Sequence, residues 1–112
     1  MRMEHAALYV MDLERARQFF TEYFEGTSNE KYHNPRTGFS SYFIRFDDGA
    51  RLELMNEPLT RGSAGRNQVG YAHVAFSVGS REKVDALTGR LSDDGYRVLS
   101  GPRTTGDGYY ES

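Results

Sequence analysis

The chain has no cysteine and no tryptophan. Without cysteine there is no disulfide framework, no thiolate metal centre and no cysteine nucleophile, and the expected location is the cytoplasm. No apolar run approaches the ~18 residues that a membrane span requires, and a mean hydropathy of −0.70 keeps much of the chain in water. The N-terminus enters a strand-like pattern directly, so no signal peptide is expected. Charge of one sign is also lacking. With 14 basic and 16 acidic residues the net charge is −2, which removes the basic footprint that nucleic-acid binding needs. At 112 residues the chain reads as one domain with a modest core, whose bulk falls to 8 Tyr and 7 Phe.

What is present is a repeat. Met3-Glu4-His5-Ala6-Ala7-Leu8-Tyr9-Val10 and Tyr71-Ala72-His73-Val74-Ala75-Phe76-Ser77-Val78 share a histidine followed by an apolar run ending in valine, 68 residues apart. Each copy leads into a polar break and a helix-like segment, and an offset of that size is a whole supersecondary unit. Period-2 alternation makes each a strand, with Ala6, Leu8 and Val10 on one face and His5, Ala7 and Tyr9 on the other. Asp12 is placed to cap a helix running to about Phe24 and stopping near Gly26, with a stripe of Leu13, Ala16, Phe20, Tyr23 and Phe24.

Residues 27–38 are polar and read as a loop with turn signals at Asn34-Pro35 and Gly38, and His33 within it reads as a solvated side chain. A hairpin follows: Phe39–Phe46, a turn at Asp47-Asp48-Gly49, and Ala50–Met55. Tyr42, Ile44, Leu52 and Leu54 fall on one face, and Arg51, Glu53 and Met55 on the opposite one. This gives a first module over 1–57, a connector over 58–70 and a second module over 71–112. In the second module, Ser80 is placed to cap a helix with the stripe Val84, Leu87 and Leu91, ended by Gly95, before a short strand over Tyr96–Leu99. By the repeat, the arm holding Glu53 should recur near position 121, so the second module is expected to lack most of its last hairpin.

His5, Glu53 and His73 thus fall on three expected strands, each opposite the aliphatic set. Two imidazoles and a carboxylate on one sheet face suit a borderline divalent cation: zinc or nickel first, with iron also compatible. The bland reading of each residue alone is a half-exposed or solvated side chain; the matched placement in a repeat, together with the leucines flanking Glu53, is what favours the metal.

Segments 4–16, 51–54, 73–78 and 101–111 together resemble the vicinal oxygen chelate superfamily, also called the glyoxalase/bleomycin-resistance/dioxygenase family. The resemblance implies an α+β fold of paired βαβββ modules forming a half-open curved sheet, with a metal at its centre. In the glyoxalase I (lactoylglutathione lyase) branch four strands supply ligands. His5, Glu53 and His73 match three of them, and the fourth, a glutamate, belongs to the part beyond Ser112. The implied chemistry is a metal-dependent lyase or isomerase that abstracts a proton next to a carbonyl through a metal-stabilised enediolate, with Glu53 as the proton-shuttling carboxylate. The expected partner is a small-molecule substrate, with Tyr9, Phe43, Arg103, Tyr109 and Tyr110 as binding candidates. The resemblance also implies a homodimer. With three of four ligands, metal binding is expected to be weak and catalysis impaired. Affinity should fall as pH drops through the imidazole range, because only neutral imidazoles bind metal. Two alternatives stay open: a metal-free small-molecule or antibiotic-binding module of the same fold, and an Fe(II) dioxygenase.

Overall fold

The computed structural model describes residues 3–62, 73–106 and 108–112. The chain forms two compact units, residues 1–65 and 66–112.

In the first unit, strand β1 (His5–Tyr9) leads into helix α1 (Leu13–Tyr23). Asp12 is the N-cap, its carboxylate accepting from the Arg15 backbone N–H at 2.9 Å, and Glu14 sits in the first turn, where the helix dipole favours an anion. Two short strands follow, β2 (Thr27–Ser28) and β3 (Tyr32–His33), then the long hairpin of β4 (Ser40–Arg45) and β5 (Arg51–Asn56). β5 pairs antiparallel with β4 and parallel with β1, while β2 and β3 both pair antiparallel with β4. The sheet has five strands in the order β1-β5-β4-β2, with β3 also paired to β4, so the unit is a βαβββ arrangement whose first strand after the helix is split into β2 and β3.

The segment expected to be loop is therefore partly strand. Thr27 pairs with Arg45 and His33 with Ser40. Two-residue strands are too short for alternation to show in a sequence; β4 supplies their hydrogen bonds and so defines them. Asn29 reinforces this edge, its side chain accepting from the Phe43 N–H at 2.7 Å and its own N–H donating to the Phe43 carbonyl at 3.1 Å. The hairpin turn closes as expected on Gly49, whose φ of +85° is one that glycine adopts without a Cβ penalty.

The core lies on the α1 side of the sheet. Ile44 and Leu54 are fully buried, with Leu13, Tyr42 and Leu52 beside them and Ala6, Leu8, Val10, Ala16, Phe20 and Phe46 packed against that cluster. Period-2 geometry thus holds across three strands, since aliphatic positions go to the helix and intervening positions to the opposite face. Tyr42 adds a polar tie, its hydroxyl donating to both Glu14 carboxylate oxygens at 3.0–3.1 Å, while Lys31 Nζ donates to Glu14 at 2.9 Å. The lysine hydrogen bond holds the Glu14 carboxyl below its usual range, and burial followed by that carboxylate pushes the Tyr42 phenol up.

The end of α1 differs from the expected glycine stop. Glu25, not Gly26, takes the left-handed conformation, with φ at 55°. Gly26 is needed for space: a Cβ there would lie 2.3 Å from Ile44 Cγ2 and 3.2 Å from the Phe20 carbonyl oxygen. Gly26→Ala is expected to cost about 1–3 kcal/mol by overpacking the core, read as a lower urea midpoint. An unchanged midpoint would show that this contact relaxes without cost.

In the second unit, Ser80 caps α2 (Arg81–Asp93), its hydroxyl accepting from the Lys83 N–H at 3.3 Å, and Gly95 follows the helix with φ at +88°. Val84, Leu87 and Leu91 are half-buried along one stripe. β6 (Arg103–Thr104) pairs antiparallel with β7 (Tyr110–Glu111). The strands expected over 71–78 and 96–99 are not formed among the described residues: 73–78 and 96–99 carry no ladder, and 71–72 lie outside the description. Alternation alone does not make a strand. The backbone groups need a partner, and β6 and β7 are hydrogen-bonded to each other as a separate two-stranded sheet.

Candidate functional site

The register of the first unit aligns His5 with Arg51, Ala7 with Glu53, and Phe43 with Glu53. Aligned residues on neighbouring strands share a face, so His5, Phe43, Arg51 and Glu53 converge on the side of the sheet opposite the core. His5 Nε2 stands 3.8 Å from Glu53 Oε2. The His5 ring meets Phe43 edge-on, with centroids 5.3 Å apart and planes at 87°. Arg51 lies over the Phe43 ring, its Cζ 4.3 Å from the centroid, a cation–π distance. Glu53 is the more sheltered of the two facing groups, its side chain 16% exposed against 38% for His5.

The other imidazole nitrogen is also engaged. His5 Nδ1 is 2.5 Å from Glu4 Oε2, and the second Glu4 oxygen is paired with Arg51 Nη2. The His5 hydrogen bond, followed by Arg51, holds the Glu4 carboxyl below its ordinary range. Sequence reasoning missed Glu4 and the clamp role of Arg51. Strict alternation sends the neighbour of His5 to the other face, but Glu4 precedes the first strand residue, so its side chain is free to turn back. The available signal was the Glu4-His5 dipeptide with an arginine in register.

Chemically, the pair can hold a cation. A separation of 3.8 Å is shorter than a Zn–N and a Zn–O bond end to end, about 4.2 Å, so one ion reaches both donors. An imidazole nitrogen and a carboxylate oxygen are a donor set that zinc, nickel, manganese and iron accept. Among the described residues, no group of three or more His, Cys, Asp or Glu is arranged to hold a metal ion. His73, expected as the third donor, is exposed in the second unit and lies outside any strand.

The remaining candidates divide between the units. Tyr9 shares the His5 face of β1 and is 56% exposed. In the second unit Tyr109 is 70% exposed. Tyr110 donates its hydroxyl to Asp85 at 2.7 Å and lies under Arg81, at 4.9 Å. Arg103 is paired with Glu111 at 2.8 Å and with the Ser100 hydroxyl. His33 is exposed, as expected, and is hydrogen-bonded to the Ser40 hydroxyl at 2.8 Å.

Residues 2–112 match the Glyoxalase/Bleomycin resistance protein/Dioxygenase superfamily. An uncharacterized protein of Bacillus subtilis, YqjT, is 34% identical over 111 residues, which are 96% of this chain and 85% of that protein. Among solved structures, a possible glyoxalase from Bacillus cereus is 26% identical with a TM-score of 0.68, over 99% of this chain and 96% of that one. The fosfomycin resistance protein FosX of Listeria monocytogenes, solved with Mn(II), aligns with a TM-score of 0.68 at 20% identity, over 97% of this chain and 82% of FosX.

Proposed function

Because the chain belongs to the Glyoxalase/Bleomycin resistance protein/Dioxygenase superfamily, we propose that it is a metal-dependent lyase or isomerase of the glyoxalase type that removes a proton next to a carbonyl. The observation that carries this reading is the convergence of His5 Nε2 and Glu53 Oε2 at 3.8 Å on the face opposite the core. His5 and Glu53 would hold the cation. A bound divalent cation, zinc or nickel first, supplies Lewis-acid stabilisation of the negative charge that develops on neighbouring substrate oxygens.

The rest falls to the chain's own groups. Glu53 receives the proton and returns it to the adjacent carbon, completing an isomerisation without net redox change. Its placement opposite Phe43 and Ala7 limits the water around the carboxylate. Phe43 and Tyr9 offer apolar and aromatic surface to the substrate's carbon skeleton. The small-molecule partner is a compound with two neighbouring oxygens, one of them a carbonyl.

The test is solvent exchange. The zinc- or nickel-loaded chain is incubated in D2O with a panel of α-hydroxycarbonyl compounds and thiohemiacetals, and deuterium next to the carbonyl is followed by NMR. Incorporation that depends on metal is expected. Binding of the same compounds with no exchange under either metal would replace the lyase with a binding module. Iron-dependent oxygen consumption would replace it with a dioxygenase.

A further inference from the structure

We infer that Glu4 is the positioning residue that fixes which nitrogen His5 presents, with Arg51 as its clamp; this rests on the metal reading above and adds to it a part outside the ligand set. A carboxylate only accepts hydrogen bonds, so the 2.5 Å contact from Glu4 Oε2 to His5 Nδ1 places the proton on Nδ1. In a neutral imidazole Nε2 then carries the lone pair, and Nε2 is the nitrogen that faces Glu53. Nε2 is thereby the nitrogen left to meet whatever binds at the Glu53 carboxylate, 3.8 Å away. Glu4 is itself held, since its other oxygen is paired with Arg51, which leans on the Phe43 ring. The order Arg51, Glu4, His5 is a carboxylate–histidine support of the kind that fixes tautomer and ring orientation at metal centres. It is also economical in chain terms: Arg51 is the register partner of His5 on β5 and comes two residues before Glu53, so one strand supplies both the clamp and the carboxylate.

The experiment uses the full chain with a 15N-labelled histidine ring at pH 8. Long-range 1H–15N correlation reads the His5 tautomer without metal, and calorimetry then measures Zn(II) affinity. Three proteins are compared: wild type, Glu4→Ala and Glu4→Gln. The wild type is expected to show the Nδ1–H ring. Glu4→Ala should pass to Nε2–H and lose roughly 10–100-fold in zinc affinity. Glu4→Gln, whose amide oxygen still accepts from Nδ1, should keep the Nδ1–H ring and recover much of the affinity, which a merely structural role for Glu4 would not produce. An Nε2–H or doubly protonated wild-type ring overturns the inference. So does zinc uptake that is equal in wild type and Glu4→Ala, which leaves the metal site standing. A wild type with the Nδ1–H ring but no zinc uptake sinks the metal site alone; the Glu4 role then stands if Glu4→Ala passes to the Nε2–H ring and falls if Glu4→Ala keeps Nδ1–H.

Discussion

Glu53→Gln is expected to lower metal-dependent proton exchange by roughly 10²–10⁴-fold, the range for loss of a well-placed general base. The substitution keeps shape and one oxygen donor but removes the negative charge and the basic lone pair. Two effects are therefore combined, and they separate by titration. Weaker zinc binding, by at least the roughly 10-fold seen when even an outer partner of a ligand is lost, disappears at saturating zinc. The loss of the base does not. Rates measured at saturating metal thus report the proton-transfer role alone. If Glu53→Gln exchanges as fast as wild type under saturation, another group takes the proton and Glu53 serves only to hold the cation. The fold should be indifferent to the change, because Glu53 lies on the face away from the core and its strand neighbours Leu52 and Leu54 carry the packing.

The largest stability effect belongs to that other face. Leu54→Ala is expected to cost about 2–5 kcal/mol, the transfer loss plus the cavity left behind. Leu54 is 0% exposed and belongs to the cluster of Leu13, Tyr42, Ile44 and Leu52. Its register partners are Leu8 on β1 and Tyr42 on β4, so the missing atoms would open a void in the middle of the sheet. Against a total stability on the order of 5–15 kcal/mol this is a large fraction. Leu59→Ala is the matched control, since Leu59 is 82% exposed and surface changes usually stay within about 0.5 kcal/mol. Urea unfolding reads both. A fall in midpoint at unchanged slope is expected for Leu54→Ala and none for Leu59→Ala, and equal midpoints would place the core elsewhere.

The first module was legible because its signals repeat along the chain. Alternation across β1, β4 and β5 sorts Leu8, Ile44 and Leu54 from His5, Phe43 and Glu53, and a one-residue slip would have reversed every one of them. Asp12, Ser80 and the Asp47-Asp48-Gly49 turn are local devices whose chemistry acts within a few residues. What was not legible depends on distant partners. β2 and β3 are strands because β4 lies beside them. The segment 73–78 keeps the alternation of β1 yet carries no ladder, so among the described residues the repeat returns as a capped helix, α1 and α2, but not as a strand. Gly26 looked like a helix stop, but what it provides is room for Ile44. Within the candidate site, alternation placed His5 and Glu53 on one face. The turn-back of Glu4 and its clamp by Arg51 needed side-chain positions in space.

His5 and Glu53 together are expected to bind a divalent cation. The most direct measurement is the metal content of the chain purified without tag or chelator, before and after equilibration with zinc and nickel, beside the double variant His5→Ala/Glu53→Ala. A cation site predicts zinc or nickel uptake by the wild type on equilibration and none by the double variant. A wild type that stays metal-free after equilibration, or a double variant that binds as much as the wild type, would contradict it.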